Sequence, residues 1–275
     1  SDTWILDLGT MTWTELHPDK SPSPRSDASI SYDPESDVMI LFSGYRVDEV
    51  KTSQTWIYSF EDENWYEVFP DNTPPHQYGH YMEYIPETGQ HLMYPGHWSV
   101  VSGSTTVNHG YGGDLWEYKY PENEWIEHIS STNPTGRYWG NVCYDPDQNR
   151  LVLFGGQGPG EYDDTWIYDI EDGTWEEVSS MDNPSERSSS NMAYDPLHKA
   201  FILFGGRDES GSLNDTWVLD AESLQWIQVD DEYPPVDDPV QDEPDSGVPG
   251  FPWTSAVVAV SLFLVKRKHS ISKYL

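Results

Sequence analysis

The chain has 275 residues, with 48 Asp and Glu against 14 Lys and Arg, and a formal net charge of -34. A surface this negative repels phosphate backbones and excludes nucleic acid as a partner, leaving proteins, neutral glycans and cations. One cysteine, Cys143, excludes an intrachain disulfide and a multi-thiolate zinc site, whereas 13 Trp, 18 Tyr and 8 Phe supply a large aromatic core.

The chain begins at Ser1 with neither an initiator Met nor a secretory signal, so a preceding segment is expected. The first predicted element is a hairpin over 2–16 that carries Trp4 and Trp13. The same nine-residue tryptophan pair returns as Trp56/Trp65, Trp116/Trp125, Trp166/Trp175 and Trp217/Trp226. First members lie 52, 60, 50 and 51 residues apart. A period of this length marks one supersecondary unit that buries its apolar face only by stacking on copies of itself.

Aligning on the tryptophans brings further positions into register. Arg25, Gln77, Arg137 and Arg187 open the units. Seven residues on stand Tyr32-Asp33-Pro34, Tyr84-Ile85-Pro86, Tyr144-Asp145-Pro146 and Tyr194-Asp195-Pro196, where proline ends the first strand in a turn. Leu151–Phe154 and Phe201–Phe204 are apolar throughout, as strands buried on both faces would be. They end in Gly155-Gly156 and Gly205-Gly206, which supply positive φ or room for close backbone approach. The third and fourth strands carry the two tryptophans. No stretch before residue 250 has sustained helical periodicity.

Four strands per ~50 residues, with Tyr-Asp-Pro, Phe-Gly-Gly and the paired tryptophans, resemble kelch repeats, the blades of a β-propeller. The resemblance covers 1–229 and implies an all-β fold. It gives four complete blades at about 25–69, 77–129, 137–179 and 187–229, preceded by the half blade 2–16. Kelch propellers usually have six or seven blades, so an incomplete propeller is expected, lacking blades at its N-terminal side. The repeated Arg25, Arg137 and Arg187 are expected to tie neighbouring blades together, with Asp2, Asp114, Asp164 and Asp215 as partners.

In such a blade the segment leading into the first strand and the connection from second to third strand share one face. On that face the second unit carries an extra loop, 97–113, with His97, Trp98, His109 and Tyr111. Loops on a rigid scaffold concentrate binding residues, and Trp98 and Tyr111 could stack on a sugar or clamp a peptide. Arg46 and Arg207 stand on companion loops, beside Tyr45 and Gln157–Tyr162. His76, His80 and His91 join His97 and His109 in this unit, but their irregular spacing gives no metal-ligand set. The opposite face carries the acidic turns around Asp33–Asp37 and Glu61–Glu63, whose oxygens suit cations but repeat no ligand pattern. One glycosylation sequon stands at Asn214-Asp215-Thr216.

Residues 230–248 form an acidic, proline-rich linker, and 249–275 a C-terminal anchor. There Pro249-Gly250-Phe251, an uncharged run from Trp253 to Val265 and Lys266-Arg267-Lys268 resemble the sorting signals of archaeal surface proteins. That resemblance implies an apolar transmembrane helix, a membrane-tethered C-terminus and a propeller outside the cell. No nucleophile with its base, no His-Glu-x-x-His and no phosphate loop occurs, so no catalytic residue and no cofactor is assigned. The expected function is binding of a protein or glycan at the cell surface. The alternatives are a carbohydrate-active or copper enzyme like galactose oxidase, which shares the blade, and a structural envelope component.

Overall fold

The computed structural model describes residues 2–46, 53–102, 105–180 and 182–229, and they are all-β. The acidic linker and the anchor with Pro249, Gly250 and Phe251 lie outside the described residues. Among the described residues no helix is long and apolar enough to cross a membrane.

Each of the four units folds into an antiparallel sheet whose four strands follow chain order from inside to outside. The first sheet comprises Ser29–Asp33, Val38–Phe42, Thr55–Ser59 and Asn64–Val68. The second comprises Tyr81–Ile85, Gln90–Tyr94, Leu115–Lys119 and Glu124–His128. The third comprises Asn141–Asp145, Arg150–Phe154, Thr165–Asp169 and Thr174–Val178. The fourth comprises Asn191–Asp195, Ala200–Phe204, Thr216–Asp220 and Trp226–Val229. Thr3–Asp7 and Thr12–Leu16 pair as a separate hairpin. Innermost strands of successive sheets lie side by side, an arrangement that fits a kelch-type propeller.

The Tyr-Asp-Pro motif works through its aspartate. Asp33 Oδ1 accepts the amides of Glu35 and Ser36 at 2.9 and 3.1 Å, and Asp145 and Asp195 repeat the pattern. The turn then needs one left-handed residue before the second strand: Asp37, Gly89, Asn149 and Lys199. A lysine there carries a steric penalty that asparagine largely escapes. Lys199→Asn is therefore expected to stabilise by roughly 0.5–1 kcal/mol, read as a higher urea midpoint. The ion pair lost with it, Lys199 Nζ to Asp147 at 3.6 Å, is exposed and contributes little.

Strand alternation gives each sheet two apolar faces, and cores form between sheets. Val38, Ile40 and Phe42 of the first sheet pack on Met93, Trp116 and Trp125 of the second. Leu92 and Leu115 of the second meet Val142, Leu151 and Trp175 of the third. Val152 and Phe154 of the third meet Phe201, Leu203 and Trp226 of the fourth. Leu151, Val152, Leu153 and Phe154 are each 0% exposed, as a strand covered on both faces requires.

The register explains the nine-residue spacing. Trp56 opposes Glu67 and Tyr58 opposes Trp65, so both tryptophans of a pair leave the same face of the sheet. In every sheet that face is turned to the preceding unit. Trp4 and Trp13, which have no preceding unit among the described residues, are 42% and 52% exposed. Fourth-strand tryptophans also reach back with a hydrogen bond. Trp65 Nε1 donates to Thr3 Oγ1, Trp125 to Thr55 and Trp226 to Thr165, at 2.9–3.0 Å. Leu115 interrupts the series, and the buried Trp175 Nε1 finds no partner among the described residues.

A second set of links uses only backbone. Asp27, Gly79, Trp139 and Ser189, each two residues beyond the opening Arg or Gln, all have positive φ. Gly79 N–H donates to Asp27 O, Trp139 N–H to Gly79 O and Ser189 N–H to Trp139 O, at 2.9–3.0 Å. This chain of amides runs through all four sheets.

Candidate binding face

The segments leading into the first strands pair with the start of the second-to-third connections, building small sheets on one face. Arg25–Ser26 pairs with Tyr45–Arg46, and Tyr138 and Ser188 bridge Gln157 and Arg207. In the second unit the pairing extends furthest. Residues 97–113, read above as a loop, contain an antiparallel hairpin, His97–Ser102 with Thr105–Tyr111. His76–Tyr78 adds a third strand. Composition rich in Gly, Ser and Thr hid these strands, which gain a partner only in the tertiary fold.

The guanidinium groups of the opening arginines anchor their own unit, whereas the expected tie to the neighbour runs through backbone at Arg187, whose N–H donates to Tyr162 O at 3.1 Å and whose carbonyl accepts from Gly156 N–H at 2.8 Å. Arg187 donates to Gly205 O at 3.0 Å and forks onto Asp215 at 2.6 and 2.8 Å; Arg137 does the same with Gly155 O and Asp164. Both partners belong to the arginine's own sheet. Arg25 reaches Ser43 O and Gln54, and Gln77 Oε1 accepts from Gly96 N–H. Arg25 is pushed down to about 10 by burial and by Arg46 opposite it. Gly156, at φ 108°, passes so close to Gly140 that a Cβ would lie 2.9 Å from that backbone.

On this scaffold Tyr78, His97 and Tyr111 occupy one row across three strands. Ring centroids lie 5.0 Å apart for Tyr78 and His97, and 5.3 Å for His97 and Tyr111. Tyr138 of the third unit stacks on Tyr111 at 5.7 Å with planes 15° apart, and meets Tyr78 edge-on at 5.9 Å. Tyr45 extends the row into the first unit, 5.8 Å from Tyr78. His109 lies 5.7 Å from His97. Burial first, then the neighbouring Tyr138 and Tyr111 hydroxyls, push the Tyr78 phenol above its ordinary range. Burial and Tyr111 raise Tyr138 likewise, with Arg207 opposing. The surface is a neutral band of aromatic rings and hydroxyls spanning three units.

The fold separates one predicted residue from the rest. Trp98 lies between His97 and Ser99 in the strand, so its indole leaves the opposite side of the hairpin and covers Gly110. Arg46 stands beside Tyr45 and opposite Arg25, and Arg207 is exposed on the fourth unit. Tyr162 is held over the Arg137 guanidinium at 4.1 Å. Tyr78 and Tyr138 were missed because they sit in the framework. They follow Gln77 and Arg137 directly, at a position where the other units carry Ser26 and Ser188.

Three histidines are fasteners between the first and second units. His76 bonds Ser99 Oγ and Gly44 O at 3.2 and 3.1 Å, His80 bonds Phe42 O at 3.2 Å, and His91 bonds Ser31 Oγ at 2.9 Å. Burial pushes His80 down to about 3 and His91 to about 4, so both are neutral. Among the described residues no three His, Cys, Asp or Glu side chains converge as a metal site requires. Cys143 faces the fourth sheet while Tyr144 faces the second, so the pair cannot form a shared centre. Burial pushes the Cys143 thiol up, which keeps it protonated.

A family model described as the KLHDC2/KLHL20/DRC7 Kelch-repeats domain matches residues 89–237, just over half of the 275 residues. Kelch repeats generally mediate protein–protein interaction, and such a domain is typically a binding module. With stacked four-stranded sheets and this match in hand, the chain belongs to the kelch-repeat family.

Proposed function

We propose that this protein is a binding module that holds a protein ligand on the aromatic band formed by Tyr45, Tyr78, His97, Tyr111 and Tyr138. The observation that carries this reading is the row Tyr78–His97–Tyr111 continued by stacked Tyr138, which presents rings and hydroxyls from rigid strands. Aromatic side chains lose little conformational entropy on binding and dominate interface energetics. Arg207 on the flank supplies a forked donor for acceptors of the ligand. The order Pro249-Gly250-Phe251, apolar run and basic cluster supports display at a cell surface, with residues 230–248 as spacer.

A peptide-display library panned on the protein, in parallel with a glycan array, tests the reading. The selected peptide is expected to bind Tyr111→Ala/Tyr138→Ala at least about 30-fold more weakly, equivalent to about 2 kcal/mol. Trp98→Ala is expected to bind within a few-fold of the parent. A ligand that binds the double variant as well as the parent removes the aromatic band from the site. Binding to the glycan array alone would reassign the band to sugars.

A further inference from the structure

On the opposite face, where the turns between first and second and between third and fourth strands emerge, a cleft of about 650 Å³ opens between the first and second sheets. Val38 and Ile57 floor it, Tyr66 and Tyr120 stand on its sides, and Asp37, Glu61 and Asp62 rim it. No lysine, arginine or histidine lines it. Tyr32 and Tyr66 hydroxyls donate to Asp37 and Asp62 at 3.1 Å each and steady those carboxylates at the mouth.

The repeat itself shows what this place accepts. Between the third and fourth sheets, the counterpart of Val38 is Arg150 and the counterpart of Tyr120 is Ala221. Arg150 fills that junction: its Nε donates to Asp145 at 2.9 Å and its Nη2 to the Ala221 carbonyl. Between the second and third sheets, Glu117, His128 and Lys119 stand at the positions of Ile57, Val68 and Ser59. They fill the space as an ion cluster, His128 Nε2 lying 2.8 Å and Lys119 Nζ 3.8 Å from Glu117. Among the described residues, only the first of these three junctions has short apolar residues at these positions, and there the rim is acidic. We propose that this cleft is a second docking site, distinct from the aromatic band, that takes an arginine side chain from a basic segment of a partner protein. The guanidinium enters between Tyr66 and Tyr120, where ring faces and carboxylates both favour a planar cation.

The probe is a fluorescein-labelled heptapeptide with arginine between two leucines, measured by anisotropy in about 150 mM salt, where diffuse surface attraction is screened. Its lysine and citrulline versions are run beside it. The arginine peptide is expected to bind at least tenfold tighter than the lysine version and far tighter than citrulline. Val38→Arg should supply the missing cation from within, as Arg150 does, and abolish binding. Asp37→Asn/Asp62→Asn should weaken binding at least tenfold. Glu122→Gln/Glu124→Gln, which removes the same charge from the corresponding turn of the second unit, should change it less than twofold. Equal losses in the two double variants, equal binding of arginine and citrulline, or no binding by the parent each overturn the assignment.

Discussion

Replacing Arg187 with alanine is expected to lower the unfolding free energy by about 3 kcal/mol, the low end of the range for breaking a buried ion pair. The guanidinium side chain is 0% exposed and the Asp215 carboxylate 22%, so part of the loss is softened by water reaching the aspartate. Five acceptors lose their donor at once: both Asp215 oxygens, Gly205 O, Ser185 O and Ser185 Oγ. The effect has a pH signature. The hydrogen bonds from Arg187 hold Asp215 below the usual carboxylate range. A depressed folded value stabilises fully above the unfolded-chain value of about 3.9 and is lost as pH falls through the folded one. The gap in urea midpoint between parent and Arg187→Ala should therefore be widest at pH 7 and narrow below pH ~4. A gap that does not change with pH would show that packing, not the ion pair, sets the loss.

Trp125→Ala is expected to cost about 3–5 kcal/mol, the range for emptying a large aromatic site in a core. The indole is 1% exposed and lies between Phe42, at 4.8 Å, and Tyr118, at 5.0 Å, so its removal opens the seam between the first two sheets. Trp125→Phe separates the two contributions, because it keeps a ring and deletes the donor to Thr55. Thr55 is 0% exposed, and losing that bond inside the core costs about 1–3 kcal/mol. The molecule holds its own control in Trp175, where Leu115 already denies the indole an acceptor. Trp175→Phe should cost distinctly less than Trp125→Phe in the same urea titration. Equal losses would mean that the Trp–Thr bonds do not contribute to stacking.

The architecture was legible because indoles are large, scarce and forced into register by strand pairing. Two of them on one face of adjacent strands recur wherever a sheet leans on its predecessor. What ties the units together was legible only in part. The arginines looked like cross-links because they recur, yet their aspartate partners stand at the start of the third strand of the same sheet. Cross-links include the Thr–indole bonds, the three histidine bonds between the first two units and the amide chain through Asp27, Gly79, Trp139 and Ser189, which no side-chain spacing announces. The candidate face was half legible. His97, His109 and Tyr111 come together as expected, but reading 97–113 as a loop concealed the alternation that turns Trp98 away. Tyr78 and Tyr138 required knowing that the residue after Gln77 and after Arg137 joins the ring contacts with His97 and Tyr111.

The amide chain also bears on how such a face can change. Because peptide groups already join one lead-in segment to the next, the side chain that follows the opening Arg or Gln is not needed for that particular link. Ser26 and Ser188 occupy the same slots as Tyr78 and Tyr138, so the group presented there varies from unit to unit while the carpentry beneath stays the same.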